Sequence, residues 1–172
     1  MQMRRVSYPQ IPPVVKNLLI INVIIFLAME LINPLHDWAI QNCALFFWES
    51  PFFMPHQVIT HMFLHGSFMH LLTNMFALWM FGRMIEWDLG PKRFLTFYFV
   101  CGIGAALLHS TVIWIETLAL QSEGLAAISQ LNELINTPTV GASGAIFGIL
   151  PAFGMLHPNS MIVLLFPPIP MK

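Results

Sequence analysis

Three polar side chains sit in stretches that otherwise offer little but hydrocarbon. His70 and Asn74 lie in the apolar run from Phe68 to Trp87, and Ser143 opens a second one, Gly141-Ala142-Ser143-Gly144-Ala145-Ile146-Phe147-Gly148. Polar groups in such surroundings are costly and by default mark function. His70 and Asn74 are four residues apart and therefore share a helix face. Gly66-Ser67 reads as the start of that helix with Ser67 as N-cap, which puts His70 about one turn inside it. The plain structural reading is that the pair hydrogen-bonds a neighbouring helix. For Ser143 the plain reading is that it is merely small: Gly144, Gly148 and Ala152 form a face suited to close helix packing. The chemical reading is that such packing carries the hydroxyl against another helix, where N–H groups at a helix start can stabilise an oxyanion. The order Gly-Ala-Ser-Gly-Ala departs from the hydrolase elbow G-x-S-x-G at Ala145.

Other polar residues have more ordinary roles. His61 and His65 have the i,i+4 spacing of a histidine box, as in membrane hydroxylases and desaturases. Such centres need several boxes, and only this one exists, so loop packing or hydrogen bonding is preferred and no metal is expected. Arg83 and Glu86, an i,i+3 pair, read as an ion pair or a helix-end anchor. His157 lies fourteen residues beyond Ser143, about 21 Å along one helix, and is excluded as its partner. His109 is about 22 Å up its own span, near the depth of the serine, but nothing in the sequence turns it toward Ser143. Cys43 and Cys101 lack CxxC spacing and read as small core hydrophobes.

The elements that must position these groups follow from composition. Of 172 residues, 57% are hydrophobic and 9% charged, against about 25% charged in a soluble domain. A soluble globule is thereby excluded, and a lipid bilayer is the expected solvent. A net charge of −1 without a basic cluster excludes nucleic-acid binding. Four spans are expected: roughly Val14–Ile32, Phe68–Trp87, Phe94–Leu120 and a short one over Gly141–His157. The loops Asn33–His65 and Gln121–Val140 contain no Lys or Arg. The positive-inside rule therefore puts both loops outside and the N-terminal tail, residues 1–13, in the cytoplasm. Cys43–His65, broken by Pro51 and Pro55, reads as an interfacial loop. Gln121–Asn136 carries Leu125, Ile128, Leu131, Leu134 and Ile135 at helical spacing, predicting a short amphipathic helix that starts near Ser122.

Two segments, His65-Gly66-Ser67-Phe68-Met69-His70-Leu71-Leu72-Thr73-Asn74 and Gly141-Ala142-Ser143-Gly144-Ala145-Ile146-Phe147-Gly148, resemble the rhomboid family of intramembrane serine proteases. Gly82-Arg83-Met84-Ile85-Glu86 and Gly90 join them in the family's order. The resemblance implies an all-α membrane bundle of six spans, of which four are present, with residues 14–172 as a rhomboid domain incomplete at its C-terminus. It implies that Ser143 is the nucleophile, that His70 and Asn74 hold the oxyanion, and that Gly141 keeps the backbone tight beside them. The implied activity is cleavage of single-span or multi-span membrane protein substrates near the outer face, without cofactor. The alternative is an inactive relative that binds membrane proteins. Two departures stand out. His56-Gln57 occupies the place where many members have Trp-Arg. The family's general base, a histidine on a later span, has no counterpart before Lys172. The short tail suggests a bacterial cell membrane.

Overall fold

A computed structural model describes residues 11–122, 124–160, 162–163 and 170–171. Most of the expected tail, with Arg4 and Arg5, and Lys172 at the other end lie outside the described residues. The chain enters its first helix, α1 (Pro13–Leu31), through two prolines. Pro13 lacks an N–H where none is needed, and its φ already suits a helix. The N–H groups of Val14 and Val15 remain, and Glu86 takes both: Oε1 accepts from Val14 at 2.9 Å and Oε2 from Val15 at 2.8 Å. Of the two roles expected for Glu86, the structure shows the helix-end anchor. Arg83 instead lays its guanidinium 4.6 Å from the centre of the Trp79 ring.

After α2 (Asn33–Cys43) and the one-turn α3 (Gln57–Thr60), the second apolar stretch runs through α4 (Phe68–Ala77), a five-residue π turn (Leu78–Gly82) and α5 (Arg83–Leu89). Gly90, with φ of 78°, turns the chain into α6 (Pro91–Ser122), 32 residues long. After a 3-10 turn, α7 (Ile128–Asn136) leads to α8 (Ser143–Leu156). Beyond it, β1 (Ile162–Val163) and β2 (Pro170–Met171) form a two-residue antiparallel pair. The fold is thus overwhelmingly helical.

By length and composition α1 and α6 can cross a bilayer, whereas α8 has only 14 residues. The outside is as apolar as the inside: Ile24 and Leu27 on α1 and Val100, Leu107, Leu108 and Ile115 on α6 are all at least half exposed. That distribution suits hydrocarbon rather than water as the surrounding medium. Inside, Val15, Leu18, Leu78, Ile85, Phe94, Tyr98, Ile146 and Ile149 make one core where α1, the second stretch, α6 and α8 meet.

Two local expectations fail. The Asn33–His65 loop begins with a helix, α2 (Asn33–Cys43). Ile32 breaks α1, and Asn33-Pro34 then starts a new helix, because proline is tolerated in a first turn as readily as it ends a preceding one. Nor does Ser122 cap the amphipathic helix. It is the last residue of α6, its hydroxyl donates back to the Ala119 carbonyl at 2.6 Å, and α7 begins six residues later without a side-chain cap. The longer α6 keeps winding because backbone bonds continue to be made, and a serine side chain readily bonds backward to a helix carbonyl. Leu131, Leu134 and Ile135 of α7 are half-buried, as the amphipathic pattern requires, while Ile128 is exposed.

Replacing Glu86 by Ala strands two backbone donors in a buried setting. The expected loss is about 2–4 kcal/mol, read as a lower thermal unfolding midpoint in detergent. An unchanged midpoint would refute the anchoring role.

Candidate active site

Ser143 is the first residue of α8, and glycine decides where that helix lies. A Cβ on Gly144 would stand 2.7 Å from the Ala105 Cβ of α6, and one on Gly148 would collide with Cys101. The expected small-residue face is therefore a real contact, and it draws the start of α8 close against α6. Just upstream, Gly141 adopts φ of 126°, a conformation open mainly to glycine. Its missing side chain matters as much: a Cβ there would lie 2.7 Å from His70 Nε2 and 3.5 Å from Ser143 Oγ. His70 and Ser143 thus converge on one small space above Gly141.

The chain segment leading to Ser143 is tied to the Asn33–His65 loop at three points. Leu45 and Thr139 exchange backbone hydrogen bonds of 2.9 and 2.8 Å. The Gly141 N–H donates to the His61 carbonyl at 2.9 Å. The Ser50 hydroxyl meets Asn136 Oδ1 at 2.8 Å. Buried Gln57 braces that loop from within, its Oε1 accepting from Met54 N–H at 3.0 Å and its Nε2 donating to the Phe52 carbonyl at 2.9 Å. The role of Gln57 was not foreseen; the available signal was one neutral amide in a run of Phe, Met and Pro.

On α4, Ser67 caps the helix as expected, its Oγ accepting from His70 N–H at 3.1 Å. Asn74 is buried one turn beyond His70 with its Nδ2 unpartnered. His65 is buried too, edge-on to His70 with ring centres 5.1 Å apart, and neither of its ring nitrogens makes a well-formed hydrogen bond. Ser143 also faces a cavity of about 200 Å³ lined by Leu45, His61, Ala105, His109, Thr139 and Phe147 among others. His109, which the sequence could not orient, therefore does reach the serine's cavity, and its Nε2 lies 2.9 Å from Thr139 Oγ1. His61 donates its Nδ1–H to the Gln57 carbonyl at 2.8 Å, since a carbonyl can only accept. His157 is far off at the other end of α8, bound to Asp88 at 2.6 Å.

A rhomboid domain model matches residues 53–171. The chain belongs to the rhomboid family. Among curated relatives, yeast "Rhomboid protein 1, mitochondrial" is 35% identical over 113 residues, covering 66% of this chain and 28% of the yeast protein. Arabidopsis "Rhomboid-like protein 16, chloroplastic" is 26% identical over 146 residues, 85% of this chain and 45% of that protein. Human "Presenilin-associated rhomboid-like protein, mitochondrial" is 28% identical over 106 residues, 62% of this chain and 24% of the human protein. This rhomboid sequence thus spans less than half the length of each of these relatives. Membership makes it a helical membrane protein. The expected bacterial cell membrane draws no support from these names, which are mitochondrial and chloroplastic.

The buried histidines make stability depend on pH. Burial, helped by the neighbouring His70, lowers the His65 pKa from 6.5 to about 4, and burial also lowers that of His61. Between those values the unfolded chain binds more protons than the folded one, so stability rises with pH. Full stability is expected above about pH 6.5, declining as the pH falls toward 4. Unfolding midpoints in detergent between pH 7 and 5 should show this, with a shallower decline in His65→Phe. An equally steep decline in that variant would refute the assignment to His65.

Proposed function

We propose that this chain carries the nucleophile of an intramembrane serine endopeptidase that cleaves transmembrane protein substrates near the outer membrane face. The observation that carries the reading is the convergence of His70 Nε2 and Ser143 Oγ on the space left by the missing side chain of Gly141. Ser143 attacks the scissile carbonyl, and the oxygen that becomes negative needs donors already in place. His70 Nε2, the unpartnered Nδ2 of Asn74 and the Ser143 N–H at the start of α8 are suited to that task. Collapse of the tetrahedral adduct expels the amine and leaves an acyl-serine, which water then hydrolyses. No metal or organic cofactor takes part. Substrate enters sideways from lipid, and helix-breaking residues expose its peptide bond, since an intact helix hides its backbone.

The serine proton must pass to a base. In the family that base is a histidine on a later span. His70 is engaged as an oxyanion donor. The second reading is an inactive relative that binds membrane proteins through the same fold.

A fluorophosphonate probe separates the two when applied to the natural full-length protein. Labelling is expected at Ser143 and lost in Ser143→Ala, and His70→Ala or Asn74→Ala should slow turnover about 10–1,000-fold. Labelling that survives in Ser143→Ala would remove the nucleophile assignment, and absence of any labelling or turnover would favour the binding protein. Wild-type rates in both other variants would remove the oxyanion roles.

A further inference from the structure

The outward face of the first half of α6 combines charge and hydrocarbon in an order that the candidate active site does not use and the core uses only at the inner edge of Phe97. Leu89, Lys92, Arg93, Thr96, Phe97 and Val100 line one open groove there, of about 470 Å³. Leu89 ends α5 beside it, and from Arg93 the spacing of three, four and seven residues to Thr96, Phe97 and Val100 is that of a single stripe along α6. Lys92 and Arg93 form its basic end and are both exposed, whereas Phe97 and Val100 follow toward the middle of α6. Val100 is 62% exposed and Phe97 half-buried, so the apolar part of the stripe keeps an open side.

The cations at its end have no ion-pair partner among the described residues. The two carboxylates nearest in sequence are already engaged, Glu86 by the N–H groups of Val14 and Val15 and Asp88 by His157. Among the described residues no side chain pairs with Lys92 or Arg93. From Arg93 to Val100 the stripe climbs about 10 Å along the helix, within the depth of one leaflet. Two unpaired cations at the level of the membrane surface, with an apolar trough continuing inward, complement a molecule with an anionic head and a hydrocarbon tail.

We propose that this groove binds an anionic phospholipid, its phosphate held by Lys92 and Arg93 and one acyl chain lying along Phe97 and Val100. Basic residues at the membrane surface each favour an anionic lipid, and the trough gives the attraction a fixed place by adding tail contact. The lipid is a bound companion of α6, on the face opposite to the contact with α8, and takes no part in the proposed chemistry.

The test uses the purified chain in a neutral detergent, titrated with phosphatidylglycerol or with phosphatidylcholine of the same acyl chains, with bound lipid counted by native mass spectrometry. Phosphatidylglycerol is expected to bind more tightly, and Lys92→Gln/Arg93→Gln should weaken it about 30-fold while leaving phosphatidylcholine unchanged. Phe97→Ser should weaken both lipids, and inorganic phosphate should displace neither. Helicity measured by circular dichroism confirms that each variant is folded, and both positions chosen for charge removal are exposed. Equal affinity for the two lipids, or no loss in the double variant, would overturn the proposal. Displacement by inorganic phosphate would overturn it as well, by showing a bare anion patch without a role for the tail.

Discussion

At Gly144 and Gly148 the backbone of α8 presses against Ala105 and Cys101 of α6, with no space for a methyl group between them. Between helices in lipid no hydrophobic effect drives association, so close van der Waals contact carries more of the burden than it would in water. The approach also fixes a depth. Because Ser143 is the first residue of α8, whatever sets the height of Gly144 against Ala105 sets the height of the serine hydroxyl. A substitution that pushed the helices apart would displace chemistry and packing together.

The second constraint is that the segment entering α8 cannot be held by helix packing, since it is not yet helical. It is held by backbone. Leu45, His61 and Gly141 supply N–H and carbonyl groups that tie residues 139–141 to the Asn33–His65 loop, and buried Gln57 prevents that loop from opening by satisfying polar groups that would otherwise call for water. The loop sequence is rich in Phe, Met and Trp, and its order comes from a small buried cluster around Phe46 and Leu64 together with a few long-range hydrogen bonds. The glycine at position 141 joins the two systems. Its backbone geometry permits the turn, and its missing side chain leaves the clearance that His70 and Ser143 share.

Much of this arrangement is legible in the sequence, and the parts that are not have a common cause. Long apolar runs locate α1 and α6 because hydrocarbon length is a property of the run itself. The shared face of His70 and Asn74, the Ser67 cap and the contact face at Gly144 and Gly148 are periodic or local, and a linear pattern records them. The helix after Asn33-Pro34 was hidden because proline carries the same signal at the end of one helix and the start of the next. Ser122 was misplaced because a serine bonds forward at a cap or backward at a terminus with equal ease. His109 reaches the cavity beside Ser143, and Thr139 holds its ring, only through the tertiary approach of α6 to the 139–141 segment. No spacing along the chain encodes that meeting.

The π turn at Leu78–Gly82 has a consequence for how the second stretch tolerates change. Asn74 and Glu86 are both buried, one in the candidate site and the other at the foot of α1. In an unbroken α-helix residues twelve apart face directions about 120° apart, and the wider turn takes up most of that difference. The segment therefore works as a phase shifter, spending one residue to aim two carriers of polar groups inward from a single rod. Its side chains pack into the core at Leu78 and under Arg83 at Trp79, and its length sets the phase between the two ends. Shortening it by one residue would leave the stretch apolar while rotating one end out of alignment with the other.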